Sequence, residues 1–378
     1  MVTPNTRTLE SNSTNPETRE SSAETLAEQR QRWARLLLSQ HYQPLIAEVL
    51  EEELPKYAHS SVIDATDTVQ HMRDCALILA SASPVLTAAV AGNLVMRIQT
   101  ESSLQTAYTA LSDRAHSQPS IYAHFLTDEY GTPPTPTQYL AIGAMVQDYV
   151  SEKGSSEHAW HIDNMTHPIV PHAASIQGHR KYLHTTTRSS KREQTLHRLC
   201  HGIQARCIET PLTLHNTPFA YPPAECGYSG SSHTRIAQHR RRQSSNYVMN
   251  LVEDICTYLY EEGIFPQHFR MHAFILFLVF RQSMASMAEI LCSALLQVWV
   301  HRGGGFNAYP AGRSVATAGR VSGGEWEAYA RYVRCESRVV QNMRVQRERA
   351  EEWRKALDWG DEGEGEEQED GEGEEEIM

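Results

Sequence analysis

Three consecutive segments in the last third of the chain carry apolar residues at helical spacing with clear stops between them. This confines the fold to one in which helices dominate. Ser244 or Ser245 can cap a helix with Val248, Leu251, Val252, Ile255 and Leu259 on one face and a stop at Gly263. Pro266 can open a second helix through Phe280. Met284 to Val300 reads as a third, apolar on several sides and therefore central, with Gly303-Gly304-Gly305 as its stop and a flexible turn. Ser322-Gly-Gly-Glu325 matches a capping box and starts a long polar helix with Trp326, Tyr329, Val333 and Val340.

The first third obeys the same grammar. Leu26, Trp33, Leu36 and Leu37 mark one helix, and Leu45, Ile46, Val49 and Leu50 mark another, with an interruption near Pro44. Ser83-Pro84 and Thr135-Pro136 each place a cap residue before a proline at the first helical position. Gly154 to Gln177 and Thr210 to Ser232 show no helical period and read as long loops. The expected fold class is mostly α, a multi-helix array or bundle with long loops and disordered N- and C-terminal tails. Its expected divisions are an arm over 1–23, a helical region over 24–150, a His-rich and basic region over 151–242, a second helical region over 243–360 and an acidic tail over 361–378.

Charge is unevenly placed. The formal net charge is -12, but eleven Asp or Glu and no Lys or Arg fall between Asp361 and Met378, so the rest of the chain is nearly neutral. An end of that composition cannot offset the entropy cost of ordering. The seven cysteines are an odd number with no CxxC pair, which reads as free thiols of an intracellular protein, cytoplasmic or nuclear. No basic, apolar leader opens the chain. The most apolar segment, Ala273 to Phe280, is far shorter than the ~20 residues of a membrane span.

Nineteen histidines raise the question of metal. His158, His161, His167 and His172 fall in one presumed loop, and His161-Ile-Asp163 has the HxD form of two-His-one-carboxylate iron sites. The segment His301-Arg-Gly-Gly-Gly-Phe-Asn307, with Arg313 beyond it, resembles the distal His and Arg motif of phytanoyl-CoA dioxygenase-like oxygenases. That resemblance implies His161, Asp163 and His301 as ligands of Fe(II), Arg313 as the residue holding 2-oxoglutarate, and a double-stranded β-helix to carry them. The helical signals between Asp163 and His301 favour the other reading, in which these histidines are solvated or hydrogen-bonded and no cofactor is needed.

The charge map points elsewhere. Between Gly178 and Arg242 there are eleven Lys or Arg against three Glu. Arg180, Lys181, Arg188, Lys191, Arg192, Arg240, Arg241 and Arg242 are its core, a patch suited to an acidic or phosphorylated protein partner. The overall acidity disfavours nucleic acid. Arg241-Arg242-Gln243-Ser244 has the form favoured by basophilic kinases, which makes Ser244 a phosphorylation candidate. The expected function is a helical interaction or regulatory protein without an identifiable catalytic motif, the alternative being the iron and 2-oxoglutarate oxygenase.

Overall fold

A computed structural model describes residues 24–243 and 246–362. The arm over 1–23, Ser244 and the tail beyond Glu362 lie outside the described residues. Local punctuation sets most helix starts. Thr25 and Glu28 form a reciprocal capping box at the start of α1 (Leu26–Leu38), and α2 (Tyr42–Glu53) follows after a turn. Asp67 caps α3 (Thr68–Ser81), and Ser83 with Pro84 opens α4 (Pro84–Val90). The chain continues through α5 (Leu94–Thr100) and α6 (Ser102–Arg114) into β1 (Ser120–Thr127).

Thr135, Pro136 and Gln138 build a second capping box, for α7 (Pro136–Val150). The segment read as a loop after Gly154 instead holds α8 (Ser156–Asn164), capped by Ser155, and α9 (His172–Ile176). Then come α10 (Ser190–Glu209), β2 (Ala224–Ser229), α11 (Ser232–Arg240) and α12 (Tyr247–Glu261), the last capped by Asn246. The helix expected from Pro266 to Phe280 is a strand, β3 (Arg270–Leu278), and the one expected to reach Val300 is α13 (Ala285–Leu295). The Ser322 capping box opens α14 (Gly323–Glu336), and α15 (Val339–Glu362) closes the described chain.

The mostly helical fold is thus what the chain adopts, but a small sheet organises its middle. The strands lie in the order β2-β1-β3, both pairs antiparallel. β1 is buried along its whole length because helices cover both faces. On one face α13 packs against β2, where Cys226 meets Ser293. On the other lies α11, in contact with both β1 and β2. Two apolar cores result. One gathers α1 to α4, α13 and α14 around Trp33, Leu45, Ile78 and Leu291, and the other gathers α7, α10 and α12 around Tyr139, Leu199 and Ile255.

The glycine run after α13 does more than turn. A Cβ on Gly303 would lie 2.2 Å from the carbonyl oxygen of Gly202 in α10, and one on Gly305 would lie 1.8 Å from that of Ala224 in β2. These glycines let backbones touch where any side chain would intrude. All seven cysteines are free thiols, six of them buried and Cys335 exposed. Among the described residues no single helix is long and apolar enough to cross a membrane.

Candidate metal centre

Antiparallel register places residues of one face side by side. His124 of β1 is the register partner of Glu225 of β2, and two residues earlier Tyr122 faces Gly227. All three functional side chains therefore point toward α11, which adds His239 and Arg235 from one helical turn apart. The imidazole of His124 donates from Nδ1 to Glu225 Oε2 at 2.8 Å. The His239 ring lies 4.6 Å from that of His124, and its Nε2 is 3.3 Å from the Tyr122 hydroxyl. Gly227 is what admits the phenol, since a Cβ there would sit 2.8 Å from the Tyr122 oxygen.

Among the described residues, His124, Glu225 and His239 form the group whose ligand atoms, one from each, lie within 4.8 Å of one another. They are 1, 6 and 2 % exposed, which matters because buried polar atoms are normally paired. Here His124 Nε2 and His239 Nδ1 have no hydrogen-bond partner. With His124 donating from Nδ1 to the carboxylate, its Nε2 carries a lone pair. With His239 donating from Nε2 to the phenol oxygen, its Nδ1 carries another. In those tautomers the two unpartnered imidazole nitrogens and the buried carboxylate form the donor set of a two-His-one-carboxylate metal site.

Electrostatics agree with this. Burial pushes His239 down to about 4, so the ring is neutral at neutral pH and able to ligate. Burial raises Glu225, but the hydrogen bond from His124, with the Arg235 cation nearby, outweighs it and leaves the carboxyl below its ordinary value. Tyr122 is held well above its ordinary value by burial and by Glu225, against a hydrogen bond from Arg235. From the opposite face of the sheet α13 brings Glu289, whose carboxylate accepts from the backbone of Gly312 and Tyr228 and is pushed by burial up to about 7. One of its oxygens, Oε2, has no partner.

The residues singled out from sequence are dispersed. His161 lies on α8 and pairs with Glu157 at 3.2 Å. Asp163 is buried and accepts from the Tyr149 hydroxyl at 2.6 Å and from the Lys181 backbone at 3.0 Å. His301 sits in a single turn over Val300–Arg302, in the electrostatic company of Lys56, Arg302 and Arg198. These three surroundings share no member, and the three strands present are no double-stranded β-helix. Arg313 follows Gly312 in the connection to α14, where its charge acts on the Tyr57 hydroxyl rather than on these three residues.

Nor is the basic stretch one open surface. Arg180 is buried and donates to the carbonyls of Tyr149, Ser175 and His179. Arg188 and Arg192 turn to the carbonyls of Val150, Tyr182 and His184, and Lys181 to those of Asp163 and Thr166. Arg242 is ion-paired with Glu253 and Asp254. Lys191, Arg240 and Arg241 remain exposed. Four of the eight, Arg180, Lys181, Arg188 and Arg192, hold backbone carbonyls of the connections in place.

The site itself was not legible in the sequence, because its members at 122, 124, 225, 235 and 239 come from β1, β2 and α11; the pairs 122/124 and 235/239 were the local signals, and nothing joined one to the other. Comparison with protein-family models, curated proteins and solved structures finds no match.

Proposed function

We propose that the chain is a metal-dependent hydrolase acting on an anionic ester, of which a phosphoester is the simplest case. The observation that carries this reading is the pair of unpartnered, buried imidazole nitrogens beside Glu225. A divalent ion held by His124, Glu225 and His239 would supply Lewis acidity and a water acidic enough to ionise near neutral pH. The chain's own groups supply the rest. Arg235, hydrogen-bonded to Tyr122, offers a guanidinium to a substrate anion. The helix that delivers it, α11, carries His233, Arg235, His239 and Arg240 and no acidic residue, which favours a negatively charged substrate.

Purified full-length chain supplemented in turn with Zn²⁺, Mn²⁺ and Fe²⁺ tests this with bis(p-nitrophenyl) phosphate and p-nitrophenyl phosphate. Turnover that depends on the metal and is lost in His239→Ala and Arg235→Ala is expected. Absence of turnover with every metal, or turnover unchanged in both variants, would overturn the reading. Consumption of 2-oxoglutarate with Fe²⁺ would instead assign the same ligand set to oxygenase chemistry. A second reading, the helical interaction protein, is supported by an open groove of about 970 Å³ lined by Leu50, Leu54, Tyr57, Ile63 and Met72. An inert metal centre together with a retained protein partner, lost on Leu54→Asp, would favour it.

A further inference from the structure

The helix that completes the metal centre is short, and what fixes it is the question. At its start, Ser232 Oγ meets Ser120 Oγ at 2.7 Å, and the His233 ring stacks on His116 at 3.7 Å while bonding the Ser112 carbonyl at 2.9 Å. These contacts lie two turns from His239.

Its end is different. The amide of Gln243 donates to the Gln238 carbonyl and that of Arg242 to the His239 carbonyl, both at 2.9 Å, the paired bonds of a Schellman stop. In that stop Arg242 takes the left-handed position, with φ +57. Glycine is the usual occupant because a Cβ is disfavoured there. What the arginine provides in return is its side chain. Nε and Nη2 of Arg242 bond Asp254 Oδ1 at 3.1 and 3.0 Å, and Nη1 bonds Glu253. The guanidinium is 9 % exposed, Asp254 1 % and Glu253 13 %. Both carboxylates are held in turn, Asp254 by Thr166 and Tyr182 and Glu253 by the Met271 amide at the start of β3.

We propose that Arg242 is a positioning residue for the metal centre: its fork onto Asp254 and Glu253 latches the end of α11 to α12 and so holds the His239 ring against His124. This rests on the metal-centre reading above, but its mechanical part does not. A residue whose amide bonds the His239 carbonyl controls the backbone that carries a ligand. Loss of such outer support typically costs about 10- to 100-fold in metal affinity.

The test uses the full-length chain and Co²⁺ as the probe, with Arg242→Gly, which keeps the left-handed stop and deletes the fork, and Arg242→Lys, which keeps the charge but not the two-point geometry. Amide hydrogen exchange is read in parallel. In Arg242→Gly, Co²⁺ affinity should fall about tenfold or more, and exchange should accelerate in α11 but not in α7 or α13. Arg242→Lys should fall between it and the parent. Unchanged affinity with unchanged α11 exchange would overturn the proposal. So would uniform acceleration across the chain, which would make Arg242 a general stabiliser. If the parent chain takes no Co²⁺, the metal reading fails, and selective loosening of α11 still decides whether the latch exists. Should Arg242→Gly not fold, Asp254→Asn, which keeps the acceptor for Thr166, reads the same latch from its other side.

Discussion

His124 donates from Nδ1 to Glu225 Oε2 at 2.8 Å across the β1–β2 pair, and it does so because the two are register partners. A slip of β2 by one residue would turn Glu225 to the opposite face, toward α13 and away from His124. The pair therefore links strand register directly to the proposed chemistry. It also leaves Nε2 as the ring nitrogen without a hydrogen-bond partner.

The stability of this chain should depend on pH with two opposing slopes. His239 is held at about 4 in the folded chain against about 6.5 when unfolded, so the unfolded state binds the extra proton between those values. Stability should fall by about 3 kcal/mol as pH drops through that window. Glu225 acts in the same direction: its folded value is depressed, so its contribution is present above its unfolded value and lost as pH falls through its folded one.

Glu289 acts oppositely. Its folded value is raised to about 7 from 4.5, so its contribution is full below 4.5 and lost as pH rises through 7. Glu289→Gln should consequently raise the urea midpoint at pH 8 and leave that at pH 5 nearly unchanged. Urea denaturation across pH 4 to 8 reads both slopes, and a midpoint equally shifted at both pH values would contradict the assignment.

Gly227→Ala tests the seat of the phenol. The new methyl group would lie 2.8 Å from the Tyr122 oxygen and 3.0 Å from its Cζ, so the buried ring must move away from His239 and Arg235. Phosphoester turnover should drop by tenfold or more, with a stability loss of only about 1–3 kcal/mol. Full turnover in a well-folded variant would show that the Tyr122 position is irrelevant to the chemistry.

Arg30 makes a separate prediction about the fold. It is 1 % exposed and spends its guanidinium on three carbonyls, those of Ala89 and Val90 at the end of α4 and of Leu296 just past α13. A cation at two helix C-termini satisfies orphan acceptors and the helix dipoles together. Arg30→Met should cost about 3 kcal/mol or more, because it leaves buried carbonyls unpaired. Thermal unfolding measures this, and a shift within error of zero would contradict it.

What could be read from the sequence was local. Thr135-Pro136 and Ser322 with Glu325 announce their helices because a cap acts within four residues of itself. The strands were hidden for the opposite reason. β1 is buried on both faces and shows no polar-apolar alternation, and the apolar run of β3 reads as a helix until a partner strand is known. His161 and Asp163 gave a motif without a site, since on α8 two residues apart they point different ways. His124, Glu225 and His239 gave a site without a motif, because only the register of β1 on β2 and the packing of α11 unite them.

Metal stoichiometry tests the central claim most directly. Full-length chain titrated with Co²⁺ and Zn²⁺ is compared with His124→Ala, His239→Ala and a variant in which His158, His161, His167 and His172 are all alanine. One equivalent should bind to the parent and to the fourfold variant, and none of comparable affinity to either single variant. Binding that survives both single substitutions and vanishes in the fourfold variant would place the metal at the histidines of α8 and its neighbours, and would contradict the assignment made to the sheet.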